Sequence, residues 1–168
     1  MIAHIKTILI FILFIPIISS GQNKYCIYEF KALKAYDDKD YLTAKAYMDS
    51  ALVTCFDIKE KAYTWHVLGF IYYDIYKKID KKDPSSLARE KTIESIKKSL
   101  ELDTISEFEK LNKKVLVNLA ISYWNNSVTH LDTINYEKAI SFYNSYVDLY
   151  SFANPDYNLE QSEIIFNQ

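Results

Sequence analysis

Apolar side chains recur at intervals of three and four residues from Lys24 almost to the end of the chain. That period, near 3.6, predicts amphipathic helices, and local start signals divide it into seven segments. The first runs from about Lys24 to Asp37, with Cys26, Phe30, Leu33 and Tyr36 recurring. After Asp38-Lys39-Asp40, whose carboxylates suit a cap, the second begins at Tyr41 and carries Ala44, Met48, Ala51 and Leu52. The third spans about Lys59 to Ile79. Asp83 followed by Pro84 reads as an N-cap with proline in the first turn, opening a fourth helix that reaches Leu102. Ser106 and Glu109 have capping-box spacing for a fifth, which continues past Leu116, Leu119 and Tyr123 to about Asn126. Asn135 caps a sixth, carrying Tyr136, Ala139, Tyr143 and Val147 and stopping before Pro155. Asn158 with Gln161 predicts a short last helix over 157–166. Gly21 and Gly69 are the only glycines, which disfavours hairpin turns and phosphate-cradling loops. The expected class is all-α.

Within the third segment, Trp65, Leu68 and Tyr72 fall on one helical stripe, with Gly69 beside them where a second helix can approach closely. The W-x2-L-G-x2-Y spacing resembles the opening half of a tetratricopeptide repeat. Leu116-x2-Leu119-Ala120-x2-Tyr123 repeats it with Leu for Trp and Ala for Gly, and Tyr41-Leu42-Thr43-Ala44 aligns with Tyr136-Glu137-Lys138-Ala139. Glu101-Leu102-Asp103 resembles the family's exit, whereas Tyr28 to Ala35 matches only through Ala32. Ala44, Thr92 and Ala139 recur at intervals of about 48 rather than the family's usual 34 or so. The excess is assigned to long connections at Lys77 to Leu87 and Asn126 to Asn135.

The resemblance implies an α-solenoid of about three helical hairpins, with units near 24–57, 59–104 and 106–152 and a C-terminal capping helix at 157–166. A non-repeat solenoid or bundle is the alternative. In the family, first helices line a concave groove and second helices form the outer face. The groove would then hold Glu29, Leu33 and Tyr36; Tyr63, His66, Phe70 and Tyr73; and Lys114, Asn118, Ile121 and Trp124. Aromatic and modestly charged, it suits an extended peptide or amphipathic helix. Contact with a neighbouring repeat is the competing use of the same residues. The family's chaperone-tail clamp needs lysine and asparagine where Glu29 and Leu33 stand. The sole arginine, Arg89, belongs to an outer helix.

Upstream, His4 and Lys6 precede an apolar run from Ile8 to Ile18 and then Ser19-Ser20-Gly21. Residues 1–21 read as a signal peptide cleaved near Gly21/Gln22, leaving an exported, periplasmic or secreted domain over 22–168. At about 11 residues the run is short for a span of about 30 Å. An uncleaved anchor is the alternative. In an exported chain Cys26 and Cys55 are candidates for a disulfide, since they fall at adjoining ends of neighbouring helices. Two buried free thiols are the other reading.

Formal net charge is −2 with lysines and acids interleaved, so no nucleic-acid footprint is expected. The 15 tyrosines serve equally as packing residues or as a wet groove. A single arginine beside many Lys, Ile, Asn and Tyr points to a low-GC bacterial gene. His4, His66 and His130 are dispersed and no C-x2-C pair occurs, so no metal or cofactor is expected. Neither a Ser-His-Asp order nor an H-E-x2-H pair is present, so neither an enzyme nor a small-molecule substrate is expected. These features predict a non-enzymatic protein-interaction scaffold of the cell envelope. The alternative is a structural accessory subunit of an envelope or secretion assembly, anchored by an uncleaved N-terminal helix.

Overall fold

A computed structural model describes residues 26–156. The expected signal segment and the expected last helix at 157–166 lie outside the described residues. Among the described residues there is no strand, and the helices are α1 (Ile27–Asp37), α2 (Tyr41–Thr54), α3 (Ala62–Asp74), α4 (Leu87–Leu102), α5 (Glu109–Asp132) and α6 (Tyr136–Ala153). A 3-10 turn, Phe56–Glu60, precedes α3, and a π-helical turn, Ile75–Ile79, extends it. No described helix is long and apolar enough to cross a membrane.

The helices pack in pairs, α1 with α2, α3 with α4, and α5 with α6. Small residues set the closest approaches. A Cβ added to Gly69 would stand 2.6 Å from Ile96 Cδ1 and 2.8 Å from its Cγ1, so any side chain larger than hydrogen forces Ile96 or α4 to shift. Ala44, Thr92 and Ala139, the positions recurring in the sequence, are buried on the second helix of each pair. Thr92 fits this apolar site because its hydroxyl donates to the Ala88 carbonyl, 2.7 Å away. Cys26 and Cys55 are joined by a disulfide with Cα atoms 5.9 Å apart, tying the start of α1 to the end of α2. With glycine absent from the corners, Lys39, Lys81, Lys82, Ser106 and Ile134 take left-handed backbone angles.

Asp40 caps α2 and Asn135 caps α6, accepting from Thr43 N at 3.2 Å and Lys138 N at 3.3 Å. Three expected boundaries differ. Asp83 does not cap α4, because its carboxylate accepts from Ser85 N at 2.8 Å and Ser85 Oγ at 2.7 Å. That local turn leaves Pro84 outside the helix, and Ser86 is the cap, accepting from Ala88 N. The expected capping box at Ser106 is displaced by Asp103, whose carboxylate accepts from Glu107 N at 3.0 Å and Phe108 N at 2.7 Å. Ser106, at φ 56°, cannot hold an N-cap geometry. Finally α5 does not stop at Asn126. It runs to Asp132, so most of the expected loop from Asn126 to Asn135 is helix. Packing against α6 outweighs the poor helix propensity of Asn125 and Asn126, and Ser127 Oγ donates across the pair to the Ala139 carbonyl at 2.8 Å.

Candidate functional site

The residues expected in the groove fall on α1, α3 and α5, and much of their chemistry is directed at one another's helices. Thr64 Oγ1, fully buried on α3, donates to Glu29 Oε1 on α1 at 2.6 Å. Tyr36 donates its phenol to Asp74 Oδ2 at 2.8 Å, and Lys78 holds the other carboxylate oxygen at 3.1 Å. Burial first, and then the Asp74 carboxylate, push the Tyr36 hydroxyl far above its ordinary range.

Between α3 and α5 a polar relay does the same work. Asn112 is fully buried; its Nδ2 donates to Ser99 Oγ at 2.9 Å, and Ser99 Oγ donates to the Ala62 carbonyl at 2.9 Å. Its Oδ1 is therefore the acceptor for His66 Nδ1, 2.8 Å away, which places the imidazole proton on that nitrogen. The ring lies between Phe70 and Phe108, each with its centroid 4.6 Å away. Burial lowers the His66 pKa, with the Asn112 bond opposing the shift. Such an imidazole is neutral at pH 7 and serves as a packing donor. Burial also raises the Tyr73 pKa, against which the hydrogen bond from Asn118 acts, and Tyr76 exchanges a 3.0 Å bond with Ser122.

Glu29, Tyr36, His66 and Tyr73 thus join neighbouring first helices. Leu33 and Phe70 pack against the core. Trp124 contacts rings of α6, with centroids 6.1 Å from Tyr143 and 5.4 Å from Tyr146. Tyr63, Lys114, Asn118 and Ile121 are exposed. None of the eleven lines the clefts described next.

These recesses involve the second helices. The first, about 640 Å³, lies between α2 and α4. Leu42, Tyr72, Ile75, Leu87 and Ala88 give it apolar walls, while Lys45, Asp80, Asp83, Glu90 and Lys91 provide charge of both signs. Leu42 is 56% exposed and Leu87 74% exposed. Lys45 pairs with Asp49 at 2.6 Å and lies 5.8 Å from the Tyr72 ring centroid. The hydrogen bond from Lys45 to Asp49 raises the Lys45 pKa, keeping it cationic, and burial raises that of Tyr72, keeping it neutral. A second recess, about 680 Å³, exposes Trp65, Leu100 and Phe152 beside Lys97.

Sequence reasoning missed the α2–α4 cleft. Its only trace is that Leu42 and Leu87 stand off the buried stripes of their helices. Among the described residues no group of three or more His, Cys, Asp or Glu is arranged to hold a metal ion. The chain matches no protein-family model, no characterised protein and no solved structure.

Proposed function

We propose that the chain is a non-enzymatic interaction module that takes a short amphipathic segment of a partner protein into the cleft between α2 and α4. The observation that carries this reading is the cleft itself, an apolar recess with two exposed leucines at its mouth and charges of both signs around it. Leucine at such exposure loses nothing by being covered, and each side chain buried contributes about 1.5–3 kcal/mol. The mixed rim favours a partner segment with interleaved charges over a strongly acidic or basic one. Resemblance to tetratricopeptide repeats supports the same role. Export to the periplasm or cell surface belongs to the proposal, resting on residues 1–21.

A structural subunit of an envelope assembly is the second reading, favoured by one apolar surface. Leu131, Ile134, Tyr136 and Ile140 are all exposed where α5 turns into α6, and such a patch suits a permanent interface. Photo-crosslinking residues placed singly at Leu42, Leu87, Ile121 and Ile134 in the native host separate the readings. The proposal expects one discrete adduct from positions 42 and 87 alone, abolished by Leu87→Asp or Leu42→Asp at the other position with melting unchanged. Adducts from Ile121 alone would return the site to the first-helix face. Adducts from Ile134 alone would support the assembly subunit.

A further inference from the structure

Phe152, in the last turn of α6, is 45% exposed. Two recesses adjoin at its ring. The larger, about 680 Å³, brings it together with Trp65 of α3 and Leu100 of α4. The smaller, about 290 Å³, uses Leu100 and Phe152 again and opens towards Ser106, before α5. A volume of about 300–1,000 Å³ is what a pocket needs to take a group of several side chains' size, so the larger recess has room for an occupant. Trp65 Nε1 donates to the Lys59 carbonyl at 2.7 Å. The one polar group of the indole is therefore satisfied, and covering the ring strands no donor.

Charge at the rim is unevenly answered. Lys98 pairs with Glu101 at 3.0 Å, and Lys113 with Glu109 at 2.6 Å. Lys97 forms no ion pair among the described residues. Its Nζ lies over the Phe152 ring instead, 4.5 Å from the centroid. A ring face attracts the ammonium without using up its donors, so an acid arriving at the recess finds a cation beside the apolar surface.

The chain itself supplies such an acid close by. After α6 ends, Asn154 N and Nδ2 both donate to the Tyr150 carbonyl, at 2.9 and 3.2 Å, fixing where the backbone leaves the helix. The described residues end at Asp156, four positions beyond Phe152. Residues 157–168 hold Leu159, Ile164, Ile165 and Phe166, with Glu160 and Glu163 and neither Lys nor Arg. Their length is about 18 Å as a helix and up to about 40 Å extended, and either carries them past a recess that begins at Phe152. Tethering so near gives a segment an effective concentration of about millimolar, which a free partner of ordinary abundance does not match.

We propose that residues 157–168 of the same chain occupy this recess. Their apolar side chains cover Trp65, Leu100 and Phe152, and Glu160 or Glu163 pairs with Lys97. Two recesses of similar volume then differ in use, since this one is filled from within and the α2–α4 cleft stays open. The inference rests on the recess beside Phe152 alone and stands or falls independently of the proposed partner.

Trp65 reports on it, because Trp65 and Trp124 are the two tryptophans of the chain. In a Trp124→Phe background, deletion of residues 157–168 should move the Trp65 emission to longer wavelength and increase its quenching by acrylamide, with circular dichroism at 222 nm showing the six described helices intact. Ile165→Asp with Phe166→Asp in the full chain should act in the same direction. In the unaltered full chain, nuclear Overhauser contacts should join the Trp65 indole to methyl groups of Leu159, Ile164 or Ile165, which decides the matter even where the deletion fails to fold. Absence of those contacts, or quenching unchanged by the deletion, overturns the proposal and leaves the recess open to a partner. Contacts seen only between differently labelled copies overturn it too, by assigning the recess to a second chain.

Discussion

Gly69→Ala is the sharpest test of how the second helix pair is built. In an isolated helix the substitution stabilises, since alanine is favoured over glycine by about 1 kcal/mol in a helix interior. Here the new methyl would sit 2.6 Å from Ile96 Cδ1, 2.8 Å from Cγ1 and 3.4 Å from the Ile96 backbone nitrogen. Ile96 is itself fully buried and cannot swing into solvent, so the pair must separate or a rotamer must strain. Overpacking of this kind costs about 1–3 kcal/mol. Set against the propensity gain, the net loss is about 1 kcal/mol, or about 4 °C in melting temperature for a domain of this size. Urea denaturation followed by circular dichroism at 222 nm would read it, with the slope against urea unchanged. Ile96→Ala removes both of the closest atoms, so in that background Gly69→Ala should reverse sign and stabilise by up to about 1 kcal/mol. The reasoning is refuted if Gly69→Ala matches or exceeds the original stability while Ile96 is present.

Two other outcomes follow from the same geometry. The Cys26–Cys55 bridge spans a sequence separation of 29, for which the chain-entropy account gives about 3–4 kcal/mol. Reduction, or Cys26→Ser with Cys55→Ser, should therefore lower the urea midpoint in a titration run with and without dithiothreitol, and coincident curves would remove the bridge from the account. Tyr36 binds its proton more tightly folded than unfolded. Its contribution is therefore complete below the unfolded pKa of about 10 and is lost as pH climbs towards the folded value. Urea midpoints between pH 9 and pH 11.5 should fall more steeply for the original protein than for Tyr36→Phe. Parallel slopes would show that ionisation of Tyr36, held back by its burial and by Asp74, does not govern the alkaline limb.

The helical start signals succeeded where one side chain had one local partner and failed where two competed. Asp40 and Asn135 cap the helices they precede. Asp83 has the same credentials, but Ser85 lies within reach and claims its carboxylate. Asp103, four residues upstream of the first amide it holds, is invisible to a rule that looks one residue before the helix. Repeat alignment has a similar limit. Tyr41 and Tyr136 align in sequence, yet Tyr41 is 8% exposed and Tyr136 59%. The π turn after α3 brings Lys78 over the Tyr41 ring at 4.5 Å, whereas Tyr136 opens α6, the last described helix.

The sequence by itself determined that the described residues are helical, where most of the helices lie, that Gly69 marks a close helix approach, and that Ala44, Thr92 and Ala139 recur. Those properties reside in short-range periodicity and side-chain size, which need no partner to be read. Only the tertiary structure decided what each exposed-looking residue was for. A period of 3.6 gives the direction in which a side chain points, but not whether solvent, a neighbouring helix or a partner meets it there. His66 and Tyr36 are polar aromatics on the expected face, and the arrival of Asn112 and Asp74 turned them into braces between helices. Leu42 and Leu87 line one cleft only because α2 and α4 bring them together. Arg89, placed by sequence on an outer helix, is buried because α5 and α6 present Tyr123 and Phe142 to it.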